Sequence, residues 1–309
     1  AKDFHFCNVY KGKVTRSNDF EASCAALKEE IDSLECNVLI PFGNIALYAL
    51  TGEWNIEKWR GSVLECTLVK GKKVIPTYDF MEVLTSYTSK EQAKQYILRH
   101  DIEKARKHSA STDIPKIKYD FILNPTYLEA IRFLEEEVMK CEIVGFDTEV
   151  VRGQVDCMSF AVSPARCICI PFFGPNGETM PADCEARVWE VAAKVLESES
   201  VKKLMQNAAF DMAILFNRYG IECKSVEDTM IAQGLVCPDF PKNLGFISSM
   251  YSEQPFYKDD HKDKEGVDWN VVTNYNAFWR YNCIDSAVLL QIYPNIMKDL
   301  VNYDLVDTY

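Results

Sequence analysis

The chain has 309 residues, 48% of them hydrophobic, enough to bury a sizeable core and to favour two domains over one. Its net charge of -12 excludes a protein that coats duplex nucleic acid, because non-specific affinity comes from Lys and Arg neutralising phosphates. No apolar run approaches a membrane span, the opening Ala-Lys-Asp-Phe-His lacks signal-peptide character, and no Cys-x-x-Cys pair occurs among the 12 cysteines, so a cytoplasmic protein with free thiols and no membrane partner is expected.

Residues 1–108 alternate between strand and helix patterns and form the first expected domain. Strands are predicted over 4–10, 37–41, 63–69 and 73–78, with helices over 19–34 and 44–50 and a further helical run ending near His108. The stretches Asn37-Val-Leu-Ile-Pro-Phe-Gly43, Ile56-Glu-Lys-Trp-Arg-Gly61 and Val74-Ile-Pro-Thr-Tyr78 give this domain a resemblance to family 4-type uracil-DNA glycosylases. Where that family has a His-Pro pair, this chain has Asp79-Phe80, and a carboxylate cannot stabilise charge developing on a uracil oxygen. Of the family's iron-sulfur cysteines only Cys24 falls in register, with Gly12 near a second ligand position, so the domain is expected to be partial and inactive as a glycosylase.

The polar, proline-closed stretch His108-Ser-Ala-Ser-Thr-Asp-Ile-Pro115 predicts a linker over 109–118. The second domain, 119–309, then reads as a strand over 119–123, an amphipathic helix over 126–140 and three strands through Pro171. A helix over 183–197, a strand over 202–205 and helices from Ala208 onward complete an α/β layer arrangement.

Four carboxylates and a tyrosine in this domain carry the chemistry. Asp147 and Glu149 end the apolar run Glu142-Ile-Val-Gly-Phe146, and the strand period of two points both to one face. Helical four-residue spacing stacks Tyr281 on Asp285, and likewise Asn207 on Asp211. Acids gathered in this way repel one another and call for cations, and hard oxygen donors select two divalent ions, Mg2+ or Mn2+, over zinc. Such ions hydrolyse a phosphodiester by activating a water and stabilising the leaving oxygen, with Tyr281 orienting the water.

In order and context, Val144-Gly-Phe-Asp-Thr-Glu149, Met158-Ser-Phe-Ala-Val162, Gln206-Asn207 with Phe210-Asp211, Asp228-Thr-Met-Ile-Ala232 and Tyr281-Asn-Cys-Ile-Asp285 resemble the DEDD exonuclease superfamily. The likeness is to its tyrosine subgroup, found as the proofreading domain of phage-like family A DNA polymerases, because Arg280 stands where the histidine subgroup has its histidine. The resemblance implies a ribonuclease H-like fold with a mixed sheet. It makes Asp147, Glu149 and Asp285 ligands of one metal, with Asp147 shared with a second ion that Asp211 supports. It places Asn207 near the terminal nucleotide, although a helix N-cap also explains an asparagine there. Thr148 is assigned to the substrate as well, whereas Phe210 is expected to pack beneath the site. The apolar wedge that relatives carry after Asp-x-Glu has no clear counterpart in Val150-Val-Arg-Gly-Gln154.

These features imply a 3′-to-5′ exodeoxyribonuclease that takes single-stranded or frayed 3′ ends of DNA in a bacterial or phage-infected cell, with a polymerase domain as its C-terminal partner. The alternatives are an exoribonuclease similar to ribonuclease D and a non-catalytic replication scaffold. None of His5, His100, His108 and His261 lies in a motif, which leaves histidine-based nucleophilic or zinc chemistry without support.

Overall fold

The structure is a computed structural model that describes residues 4–10, 19–85, 89–258 and 272–309. Gly12 and His261 lie outside the described residues. The chain divides into two compact units, one of Ala1–Lys116 with Glu253–Phe256 and one of Ile117–Ser252 with Tyr257–Tyr309.

The first unit contains, in order, α1 (Phe20–Asp32), β1 (Val38–Leu39), α2 (Gly43–Thr51), α3 (Ile56–Trp59), β2 (Leu64–Glu65), β3 (Lys73–Val74), α4 (Phe80–Leu84) and α5 (Ser89–His108). Its three strands form a short sheet in the order β1-β3-β2, parallel in the first pair and antiparallel in the second. The predicted strand over 4–10 does not form. Those residues are mostly exposed, Phe6 to 82%, and among the described residues no neighbouring strand offers the ladder that an extended segment needs. The stretch after α5 is tied down: Lys73 Nζ donates to the carbonyls of Ser111 (2.7 Å) and Asp113 (3.0 Å), and Asn37 Nδ2 to that of Ser109 (2.8 Å).

The second unit is built on a six-stranded mixed sheet. Its elements are β4 (Asp120–Ile122), α6 (Tyr127–Glu136), β5 (Ile143–Val151), β6 (Gln154–Ala161), β7 (Arg166–Pro171), the small hairpin β8 (Phe173–Gly174) and β9 (Gly177–Glu178), α7 (Ala182–Leu196), β10 (Lys202–Met205), α8 (Ala208–Tyr219), β11 (Val226–Asp228), α9 (Thr229–Val236), α10 (Leu244–Tyr251) and α11 (Tyr275–Asn302). Strand order is β11-β10-β5-β6-β7-β4. The β5-β6-β7 pairs are antiparallel, whereas β11, β10 and β5 run parallel, as do β7 and β4.

Local signals explain the element boundaries. Thr126 and Glu129 close a capping box at the start of α6, and the Asn274 side chain caps α11 by accepting from the Ala277 N–H (3.1 Å). Alternation in the central strands buries Val144, Phe146, Met158, Phe160, Ile168 and Ile170 against apolar residues of α6, α7 and α8. The opposite face presents Cys157, Ala161, Cys167 and Cys169 to Phe278, Trp279, Cys283 and Ala287 of α11. Cys157, Cys167, Cys169 and Cys283 form no disulfide and serve as small apolar packing residues. Among the described residues, no helix is long and apolar enough to cross a membrane.

Candidate active site

The face of β5 that carries Gly145, Asp147 and Glu149 is the one that receives α11. A Cβ at Gly145 would lie 2.0 Å from the Ser286 carbonyl oxygen, so only glycine admits the helix at this separation. The neighbouring residue on β6, Ser159, pairs with Asp147 in the ladder. Its hydroxyl donates to the Asn282 carbonyl (2.9 Å) and lies 2.6 Å from the Ser286 hydroxyl, which pins α11 to the sheet. Close approach is what carries Tyr281, Asn282 and Asp285 to the two strand acids.

Carboxylate oxygens of Asp147, Glu149 and Asp285 all lie within 4.8 Å of one another. Asn282 Nδ2 donates to Asp147 Oδ2 at 2.7 Å, and the Cys169 thiol in turn donates to Asn282 Oδ1 at 3.6 Å, fixing the orientation of the amide. On Asp285, Tyr257 Oη donates to Oδ1 (2.6 Å), and the Lys258 ammonium donates to both oxygens (2.7 and 2.6 Å). The same ammonium donates to Tyr281 Oη at 3.0 Å.

Asp211 stands outside this triad, in the first turn of α8. Its Oδ1 accepts from the Thr148 N–H (3.3 Å) and from the Thr148 hydroxyl. Thr148 is buried, on the strand face opposite Asp147 and Glu149, so its side chain holds Asp211 and is not presented to a substrate. Asn207 precedes α8 at φ 60°, in the left-handed region that asparagine tolerates, and its side chain makes no capping bond. The cap comes from Asp228, whose two oxygens take the N–H groups of Asn207 (3.0 Å) and Ala208 (2.9 Å) while Oδ1 also takes that of Met230 (2.8 Å). One carboxylate thus joins the starts of α8 and α9, and the N-cap explanation of Asn207 is set aside. Phe210 is 51% exposed and does not pack beneath the site as expected, because it lies on the outer side of the first turn of α8.

Burial and then the charges of Asp285, Glu149 and Asp211 hold the Asp147 carboxyl well above the usual range. Burial, reinforced by Asp285, raises Glu149 to about 8. Burial also raises Asp211 to about 6, against the opposing pull of its hydrogen bonds from Thr148. Burial and the same carboxylates keep the Tyr281 hydroxyl firmly protonated. Crowded carboxylates suit a hard divalent cation, and the seating of the Lys258 ammonium on Asp285 marks the place where positive charge is taken up. Tyr257, Lys258 and Asn282 were not expected at the site from the sequence. The amide adjoins Tyr281 in its motif, whereas Tyr257 and Lys258 belong to no pattern and meet Asp285 only through the fold.

Solved structures similar to this chain include Escherichia coli RNase D, an exoribonuclease involved in structured RNA processing (18% identity, 61% of this chain and 47% of that chain, TM-score 0.47). Others are Brucella melitensis NrnC (16% identity, 62% and 86% covered, TM-score 0.46) and the catalytic core of RRP6 from Trypanosoma brucei (15% identity, 62% and 52% covered, TM-score 0.46). The chain spans about half the length of the RNase D it matches. The 3′-5′ exonuclease family model matches residues 122–301, a stretch that takes in Asp147, Glu149, Asp211, Tyr281 and Asp285, and the chain belongs to that family, the DEDD exonucleases with two divalent metal ions.

Proposed function

We propose that this exonuclease acts on DNA as a member of the tyrosine subgroup, releasing nucleoside monophosphates from 3′ ends, and that it is the proofreading part of a family A DNA polymerase. The observation that carries the subgroup assignment is the placement of Tyr281 one turn before Asp285, with its hydroxyl beside the acids and Arg280 in the position where the histidine subgroup differs. Asp147, Glu149 and Asp285 would hold one cation, and Asp211 with Asp147 the second. When bound, the pair supplies an activated water and a counter-charge for the leaving oxygen. Tyr281, protonated, offers its hydroxyl to orient that water, and Asn282 keeps Asp147 in its rotamer. The exposed side chain of Asn207 is free of capping and serves the terminal nucleotide, while Thr148 acts through Asp211.

The substrate is met locally, as single-stranded or frayed 3′ ends, since an acidic chain has little affinity for the duplex backbone. The first unit is proposed as a glycosylase-like domain without glycosylase activity. Asp79 there caps α4, its Oδ1 accepting from the N–H groups of Met81 (2.8 Å) and Glu82 (3.3 Å), which gives the carboxylate a structural task.

The test is digestion of 5′-labelled DNA and RNA strands of matched sequence with Mn2+. A ladder of shortened DNA, formed faster from frayed than from paired ends, is expected; preferential digestion of RNA would overturn the DNA reading, and equal rates on paired and frayed ends the proofreading role. Tyr281→Phe should slow single-turnover cleavage by roughly tenfold to a hundredfold while Mn2+ still binds.

A further inference from the structure

Lys258 occupies an unusual place in this centre. Its ammonium spans both oxygens of Asp285 (2.7 and 2.6 Å), contacts Tyr281 Oη (3.0 Å), and lies over the rings of Tyr281 (4.7 Å) and Tyr257 (5.1 Å). Asp285 Oδ1 also accepts from Tyr257 Oη (2.6 Å). With Oδ1 serving two donors and Oδ2 a third contact, the acceptor capacity of this carboxylate is largely committed. A divalent ion shared by Asp147, Glu149 and Asp285 needs one of those same oxygens, and an ammonium kept there would face it across a few ångströms in a site of low polarity. The two cations therefore exclude each other at Asp285. A lysine can give way because its charge rides on a flexible four-carbon stem, and the side chain is 20% exposed, which leaves a path to solvent.

We propose that Lys258 is a positioning residue of the exonuclease centre, a built-in cation that holds Asp285 and Tyr281 in place and is exchanged for the divalent ion when the site loads. The exchange sets the affinity of the centre for metal. Lys258 offsets part of the repulsion among the acids until the ion arrives, so the constellation keeps its arrangement, and the cost is weaker metal binding than three bare carboxylates would give. This inference rests on the metal-dependent chemistry of the family and is independent of whether DNA or RNA is the substrate.

Isothermal titration of the full chain with Mn2+ tests it, using thermal denaturation to verify that each variant folds. Lys258→Met should bind Mn2+ about tenfold more tightly, equivalent to about 1.4 kcal/mol. Lys258→Arg should bind no more tightly than wild type, and more weakly if the guanidinium grips Asp285 with two parallel bonds. Affinities of both folded variants equal to that of wild type, or weaker binding by Lys258→Met, would overturn the proposal. Should Lys258→Met fail to fold, an Arg variant that binds Mn2+ more tightly than wild type would overturn it equally. Failure of wild type itself to bind Mn2+ would instead count against the metal centre, as would unchanged binding by Asp285→Asn.

Discussion

The two units treat their acids in opposite ways, a fully buried Asp101 in the first and the partly buried Asp147 and Glu149 in the second. In the first unit Asp101 is 0% exposed and faces Arg60, 1% exposed, with Arg60 Nε donating to Oδ2 at 3.0 Å and Thr77 Oγ1 donating to the same oxygen at 2.9 Å. Burial pushes this carboxyl up, yet the Arg60 charge and the hydrogen bonds from His100, Arg60 and Thr77 outweigh it and hold the group below the ordinary range. In the second unit burial and neighbouring charges act in the same direction on Asp147 and Glu149 and raise both. A buried acid with a rigid, matched partner is a structural joint. Acids that face one another across one flexible lysine keep their charge-binding capacity for something that comes and goes.

The largest expected effect follows from this contrast. Asp147→Ala and Glu149→Ala should reduce 3′ digestion to background and leave the unfolding midpoint unchanged or higher, since each removes a mutually repelling group. Asp101→Ala should do the reverse, destabilising the first unit by about 3–5 kcal/mol because the buried Arg60 loses the carboxylate that balances its charge. Urea denaturation and a labelled-strand assay on the three variants decide the matter. Wild-type digestion by Asp147→Ala, or a neutral Asp101→Ala, would erase the distinction.

Gly145→Ala comes next. The added methyl would sit 2.0 Å from the Ser286 carbonyl, so α11 must retreat from β5, at a cost of about 1–3 kcal/mol. Retreat also separates Asp285 and Tyr281 from Asp147 and Glu149, so Mn2+ affinity and digestion should fall together. Loss of stability with metal binding intact would show that the close approach serves packing alone.

Part of this site was legible in the sequence, although the close approach at Gly145 was not. Alternation places Asp147 and Glu149 on one face of β5, and helical spacing stacks Tyr281 on Asp285; both are consequences of local geometry, and the order of β5, β6, β7 and β10 along the chain follows the apolar pattern closely. Contacts set by the tertiary fold left no such trace. Lys258 reaches Asp285 from 27 residues away through a segment without periodicity, and Asp228 caps α8 from 20 residues beyond Ala208. The expected strand over 4–10 had the composition of a strand but lacked a partner, and Phe210 had the apolar character of a core residue but lies on the exposed side of its helix.

A smaller effect tests the electrostatic half of the comparison. Glu149 carries a folded-state value of about 8, above the ordinary carboxylate range of about 4.3 in an unfolded chain, so between these the folded state keeps a proton that the unfolded state has released. Its contribution therefore destabilises the folded state progressively as pH rises through that window. In EDTA, the stability advantage of Glu149→Gln over wild type should grow between about pH 5 and pH 8. Added Mg2+ should raise the wild-type melting temperature more at the upper end, where the ion no longer competes with protons. An advantage independent of pH would remove Glu149 from the set of acids held under strain.

The smallest effects are expected at Asp79, where the first unit has a carboxylate with a fixed structural duty. Its Oδ1 satisfies two N–H groups at the start of α4, so Asp79→Ala should cost about 1 kcal/mol, and Asp79→Asn, which keeps an acceptor, much less. Neither wild type nor variant should excise uracil from single-stranded DNA in EDTA, a condition that silences the metal-dependent digestion. A carboxylate at this position opposes the negative charge that base excision develops on the uracil oxygen, and the exposed, capping geometry of Asp79 supplies no donor to replace it. Alkali-labile abasic sites that increase with protein concentration would show that the first unit is an enzyme, and that a capping acid can coexist with catalysis in the same turn.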